Sequence, residues 1–142
     1  MKIAVDFDGT IVEHRYPRIG KVMPFAFETL KALQKEQYEI ILWTFRAGKE
    51  LTEAVEFCKQ NGVEFYAVNN SYPEEIYTEN ISRKIYADIY IDDRNVAGFP
   101  GWSNIWQIIK SGNALNSEMF YKTIIDDKIE LSFMKKIIKL IS

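Results

Sequence analysis

Four short apolar runs punctuate the chain, "KIAVDFD" from Lys2, "YEIILWT" from Tyr38, "VEFYAV" from Val63 and "ADIYIDD" from Ala87; stretches of helical periodicity separate the first three, and a mixed, polar stretch over 69–83 precedes the fourth. No other feature limits the possible folds as tightly. Each run is rich in β-branched and aromatic residues and too short for a helix, so each reads as a strand. Between the first two, Met23, Phe27, Leu30 and Leu33 recur at helical spacing as far as about Gln37, and Pro24 suits the first turn of that helix. Gly48 to Asn61 reads as a second helix, with Leu51, Ala54, Val55 and Cys58 on one face and Gly62 as its stop. After the fourth run, "SNIWQIIK" reads as a short helix that Ser103 would cap. Ile129, Phe133, Met134, Ile137, Ile138 and Ile141 mark an amphipathic terminal helix over about 126–141. Residues 12–22, with Pro17 and Gly20, read as a small flap.

Alternation of strand and helix predicts an α/β fold: one Rossmann-like, doubly wound, mainly parallel sheet in a single domain over residues 1–142. The chain has 142 residues, enough for one real core. A formal charge of −2 gives no polyelectrolyte signal for nucleic acid. Cys58 is the only cysteine, which rules out an internal disulfide and a cysteine-rich zinc site. The first apolar run is far too short for a signal peptide and no segment approaches a membrane span, so the expected location is cytoplasmic.

In such folds the chemistry lies outside the carboxyl ends of the strands. Asp6 and Asp8 end the first run, Thr44 the second, and Asp92 and Asp93 the fourth. Right-handed crossovers bring these ends to one edge of the sheet. Residues i and i+2 of an extended strand point the same way, so Asp6 and Asp8 share a face. Four carboxylates at one edge repel one another unless protons or a cation compensate. Hard oxygen donors with a single histidine in the chain favour Mg²⁺ over zinc. Mg²⁺ in turn takes a phosphate oxygen from its substrate. A hydroxyl, Thr44, and a cation, Lys84, are suited to hold the rest of a phosphate, with Arg83 and Lys49 as alternative cations. A carboxylate can attack phosphorus and split the reaction in two.

"DFDGT", "ILWT", Lys84 and "IYIDD", in that order, resemble the four-motif set of the haloacid dehalogenase superfamily in its phosphatase branch. The likeness covers residues 3–93. It implies that Asp6 is the nucleophile and Asp8 the general acid and base. It also implies that Asp6, Asp92 and the backbone carbonyl of Asp8 bind Mg²⁺, with Asp93 holding a metal-bound water or accepting a hydrogen bond just behind the ion's own ligands. Thr44 and Lys84 would hold the phosphoryl oxygens together with backbone N–H groups near Phe7, Asp8 and Phe45. The gaps from Thr10 to Glu39 and from Phe45 to Arg83 leave no room for an inserted domain, which implies the capless type.

The expected function is therefore Mg²⁺-dependent hydrolysis of a phosphate monoester through an aspartyl-phosphate. The substrate would be a phosphorylated small molecule or something larger. Arg15, Arg18, Arg46 and Arg94 flank the motifs and are candidates to meet an anionic substrate, although each is an ordinary surface residue by default. A phosphotransferase or mutase would share the intermediate, and a non-catalytic phospho-ligand binder would share the site. A receiver-like signalling domain would need an aspartate where the third run ends, and Asn69 stands there. His14 reads as a loop residue and Cys58 as core. Trp43, Trp102 and Trp106 read as packing, although Trp102 follows "FPG" and could reach the site. The broad apolar face of the terminal helix suggests a homo-oligomer.

Overall fold

β1 (Lys2–Val5), β2 (Glu39–Leu42), β3 (Ala67–Val68) and β4 (Ile89–Ile91) form one fully parallel sheet in the order β3-β2-β1-β4. The structure is a computed structural model and describes residues 1–112. The helix expected over about 126–141, and the oligomer inferred from it, lie outside the described residues. Met1–Ile105 forms one compact unit, and Trp106 opens a second.

β1 and β2 are the central strands, with Ile3, Val5, Ile41 and Leu42 completely buried. Their apolar runs are continuous because helices and loops cover both faces of a parallel sheet. Burial of each such side chain is worth about 2 kcal/mol. α1 (Ala26–Lys35) joins β1 to β2, α2 (Gly48–Gln60) joins β2 to β3, and α3 (Trp102–Lys110) follows β4. α1 buries Phe27, Leu30 and Leu33, and α2 buries Ala54 and Cys58. Phe57 on α2 lies 5.9 Å from the Phe27 ring and meets Phe7, just past β1, edge-on at 6.3 Å. Burial pushes the Cys58 thiol up to about 12, as suits a core residue. Gly62, at φ +85°, ends α2 as expected.

Three boundaries differ from the sequence reading. Pro24 lies in the turn before α1, because Ala26 N–H closes onto Met23 O and Phe25 turns at φ 63° before the helix begins. α3 starts at Trp102, so Ser103 is inside the helix and cannot cap it. The third run forms only two strand residues. Its first residue, Val63, donates to Cys58 O and closes α2, while the Glu64 carbonyl accepts from the Gln34 amide.

Residues 12–22 form the expected flap. Val12 bridges to both Asp8 and Val22, and Glu13 N–H donates to Lys21 O at 2.7 Å. A Cβ on Gly20 would fall 2.0 Å from the Glu13 carbonyl, so the flap closes this tightly only around glycine. No separate cap domain is inserted among the described residues. The architecture is that of a capless Rossmann-like α/β fold.

Candidate active site

Strand order reverses at β1, which pairs with β2 on one side and with β4 on the other. Val5 is paired with Ile91, and Asp6 N–H donates to Ile91 O at 2.9 Å. Asp6 therefore leaves β1 beside Asp92 and Asp93 as they leave β4. One carboxylate oxygen from each of the three lies within 4.8 Å of the others. This is the switch point at which open parallel sheets keep their ligands.

Thr10 ties the cluster together. Its buried hydroxyl donates to Asp6 Oδ2 at 3.1 Å and accepts the Asp93 N–H at 3.1 Å. Its carbonyl accepts the Trp102 indole N–H at 2.8 Å, so Trp102 braces the turn from behind and is itself buried. Gly9 sits at φ +92°, and a Cβ there would come within 2.4 Å of Asp93 Oδ2. Glycine is needed both for the backbone angle and for the approach of that carboxylate. Asp92 Oδ1 accepts the Arg94 N–H at 2.7 Å.

Electrostatically the cluster sets three carboxylates against one exposed guanidinium, that of Arg94. Burial, together with repulsion from Asp92 and Asp93, pushes the Asp6 carboxyl up to about 7, against hydrogen bonds from Phe7 N–H and Thr10. Asp93 Oδ1 is buried with no hydrogen-bond partner, while its Oδ2 lies 3.6 Å from the exposed Arg94 guanidinium. A buried carboxylate oxygen without a partner is costly. Three hard oxygen donors, one of them holding a proton near neutrality and another with an orphaned oxygen, fit a divalent cation such as Mg²⁺.

Asp8 lies in different surroundings. Its carboxylate is held in a fork by Arg46, with Nε to Oδ2 and Nη2 to Oδ1 both at 2.7 Å. Arg46 is 1% exposed. Hydrogen bonding to Asp8 raises its pKa further above the ordinary arginine value. The sequence reading left Arg46 as a surface residue and a candidate for substrate. The structure instead commits its guanidinium to Asp8 and to two flap carbonyls, so it is not an open substrate cation.

These groups line a cavity of about 630 Å³ together with Thr44 and Arg94. Its apolar wall is Tyr16, Trp43 and Phe45, with exposed His14 at the flap. Phe45 is 96% exposed. Thr44 is aimed by its neighbours: its N–H donates to Asn69 Oδ1 at 2.8 Å, and its hydroxyl accepts the Arg46 N–H at 3.2 Å. Asn69, which replaces the aspartate of a receiver domain, thus braces the end of β2.

The structure brings together Asp6, Asp8, Thr44, Arg46, Asp92 and Asp93 from the sequence-derived set. It does not bring Lys84 to the cavity wall: the ammonium sits 5.1 Å from the Tyr90 ring centre. Arg15 and Arg18 are exposed on the flap and do not line the cavity either. Of the four flanking arginines, Arg94 and Arg46 line the cavity. Sequence reasoning missed Thr10 as the junction and Asn69 as the brace of Thr44. For Thr10 a signal was present, since it belongs to "DFDGT".

No family model matches the chain, and no curated protein matches it. A solved structure does: a conserved protein from Bacteroides thetaiotaomicron, 59% identical, with a TM-score of 0.75 over 79% of this chain and 91% of that one. The parallel sheet and the aspartate cluster at its switch point are consistent with a Rossmann-like core of the haloacid dehalogenase kind, and the chain belongs to the same family as this Bacteroides protein.

Proposed function

We propose that the protein is a Mg²⁺-dependent phosphatase of the capless haloacid dehalogenase branch, hydrolysing a phosphate monoester through an aspartyl-phosphate on Asp6. The supporting observation is the meeting of Asp6, Asp92 and Asp93 at the switch point of the sheet, on a cavity that Thr44 also lines.

On this reading Asp8 first takes up a proton on an oxygen that one arm of the Arg46 fork releases. An Asp6 oxygen then attacks phosphorus and the bond to the leaving oxygen breaks, while Asp8 passes that proton to the leaving oxygen. Water then attacks the same phosphorus, Asp8 takes a proton from it, and Asp6 is released with inorganic phosphate. The Thr44 hydroxyl and the backbone N–H groups near Phe7, Asp8 and Phe45 hold the phosphoryl oxygens. Lys84 joins them only by leaving the Tyr90 ring, whereas Arg94 already stands at the cavity wall. Asp6, Asp92 and the Asp8 carbonyl would hold Mg²⁺, with Asp93 beside them as an acceptor. The ion would supply charge neutralisation between the attacking carboxylate and the phosphate dianion. A cavity of about 630 Å³ suits a metabolite-sized substrate.

The test is turnover of a generic aryl phosphate with Mg²⁺. Chelation with EDTA is expected to stop hydrolysis and added Mg²⁺ to restore it. Undiminished activity after thorough chelation overturns the metal claim. Binding of phosphorylated ligands without any turnover overturns the enzyme claim in favour of a phospho-ligand binder.

A further inference from the structure

Among the described residues, Arg46 is the only charged side chain that is fully buried. Beyond its fork onto Asp8, Nη1 donates to Pro17 O and Nη2 to Arg18 O, both at 2.9 Å. Its guanidinium carbon lies 4.9 Å from the Phe7 ring centre and 5.3 Å from that of Tyr16. One planar group thus touches the turn after β1, the Asp8 carboxylate and the main chain of the flap.

The flap has few other anchors. Its base is the bridge from Val12 to Val22, with the Glu13–Lys21 hydrogen bond. At its far end, Pro17 and Arg18 receive Arg46 through their carbonyls. Arginine suits this task because its fork can satisfy a carboxylate and two carbonyls at fixed angles, which an ammonium cannot.

We infer that Arg46 is a positioning residue that orients the Asp8 carboxylate and fastens the flap in the same act, so that flap and Asp8 move as one unit. This rests on the reading in which Asp8 passes a proton to the leaving oxygen. A leaving group that lifts the flap acts on the group that must protonate it, which makes the flap a sensor of leaving-group size.

Two measurements test the coupling, and one of them needs no turnover. The first is kcat/KM for an alkyl phosphate, whose leaving oxygen needs a proton, and for 4-nitrophenyl phosphate, whose leaving oxygen does not. Arg46→Ala is expected to lower the alkyl value about 10²-fold and the aryl value by less than about tenfold. Free guanidinium at non-denaturing concentration is expected to restore part of the alkyl activity. Arg46→Lys, which keeps the charge but loses the fork, should show the same selective loss and serves if the alanine variant does not fold. Equal losses on both esters overturn the positioning of Asp8.

The second measurement is trypsin cleavage after Arg15 and Arg18 in the substrate-free protein. Arg46→Ala and Asp8→Asn are each expected to speed it about tenfold, because cleavage follows the population of the open flap. Unchanged cleavage in both variants overturns the fastening of the flap. That result stands whether or not the wild-type protein hydrolyses phosphate, so failure of the coupling and failure of the phosphatase reading remain distinguishable.

Discussion

Asp6 and Asp8 are two residues apart, yet the surroundings of their carboxylates are opposite. Asp6 lies with Asp92 and Asp93 in a group where burial and like charge push its carboxyl up to about 7 and leave Asp93 Oδ1 without a partner. Asp8 is matched by a buried guanidinium at 2.7 Å on both of its oxygens. The first half of the site is completed by adding positive charge, and the second is already neutral. On the proposed reading, that contrast separates a group suited to a cation and a phosphoryl transfer from a group held in place for proton traffic. It also explains how four acids coexist at one sheet edge: Arg46 removes one from the mutual repulsion.

The largest expected effect is on the first half. Asp6→Asn keeps the shape but cannot attack phosphorus, so turnover should fall by on the order of 10³-fold or more while the protein still folds and unfolds cooperatively. Substantial residual activity in a clean preparation would count against Asp6 as nucleophile. On the second half, Arg46→Ala leaves Asp8 unpaired and should destabilise the protein by about 3 kcal/mol in denaturant unfolding. A cost near zero would mean that the pair is not what balances Asp8.

Asp92→Ala should raise the Mg²⁺ concentration for half-maximal activity by roughly 10- to 100-fold, seen as a right-shifted metal titration. An unshifted titration would remove Asp92 from the metal site. A smaller effect concerns the metal-free protein. The Asp6 carboxyl is raised from 3.8 to about 7, so between those values the folded state holds a proton that the unfolded chain has released. Its contribution to stability is full below 3.8 and is lost as pH rises through about 7. The melting temperature of chelated protein should therefore drop across that window, more than that of Asp6→Asn, and Mg²⁺ should reverse the drop at pH 8. A chelated wild type that tracks Asp6→Asn would contradict the raised carboxyl.

The smallest effect is expected at Arg15 and Arg18. Their side chains are exposed, and Arg18 serves Arg46 through its carbonyl, which substitution by alanine keeps. Each alanine variant should change kcat/KM for a small aryl phosphate by less than about twofold, with any larger loss confined to anionic natural substrates. A large loss on the aryl ester would place one of them at the phosphate.

Much of this site was legible in the sequence because strand ends have local signatures. An apolar run that stops at "DFDGT" or "IYIDD" announces both the strand and the carboxylates at its end, and parallel topology brings the two together. The charge balance of Asp8 was not legible, because Arg46 looks like any arginine after a strand. Its burial depends on the flap closing over it, and the flap contributes carbonyls that no side-chain pattern records. The shortness of β3 was hidden for a related reason: Val63 and Glu64 carry strand-like neighbours, but their backbone groups are already used by α2 and Gln34. Lys84 was assigned by its place before β4, and a lysine's reach of several ångströms lets it turn to Tyr90 instead.

The most direct test of the central claim is an acid quench during turnover, followed by mass analysis of the peptide carrying Asp6. The expected result is a phosphoryl group on that peptide that hydroxylamine removes, that requires Mg²⁺ and that is absent from Asp6→Asn. Active turnover with no phosphoryl group trapped on the peptide, together with retained activity in Asp6→Asn, would contradict the account.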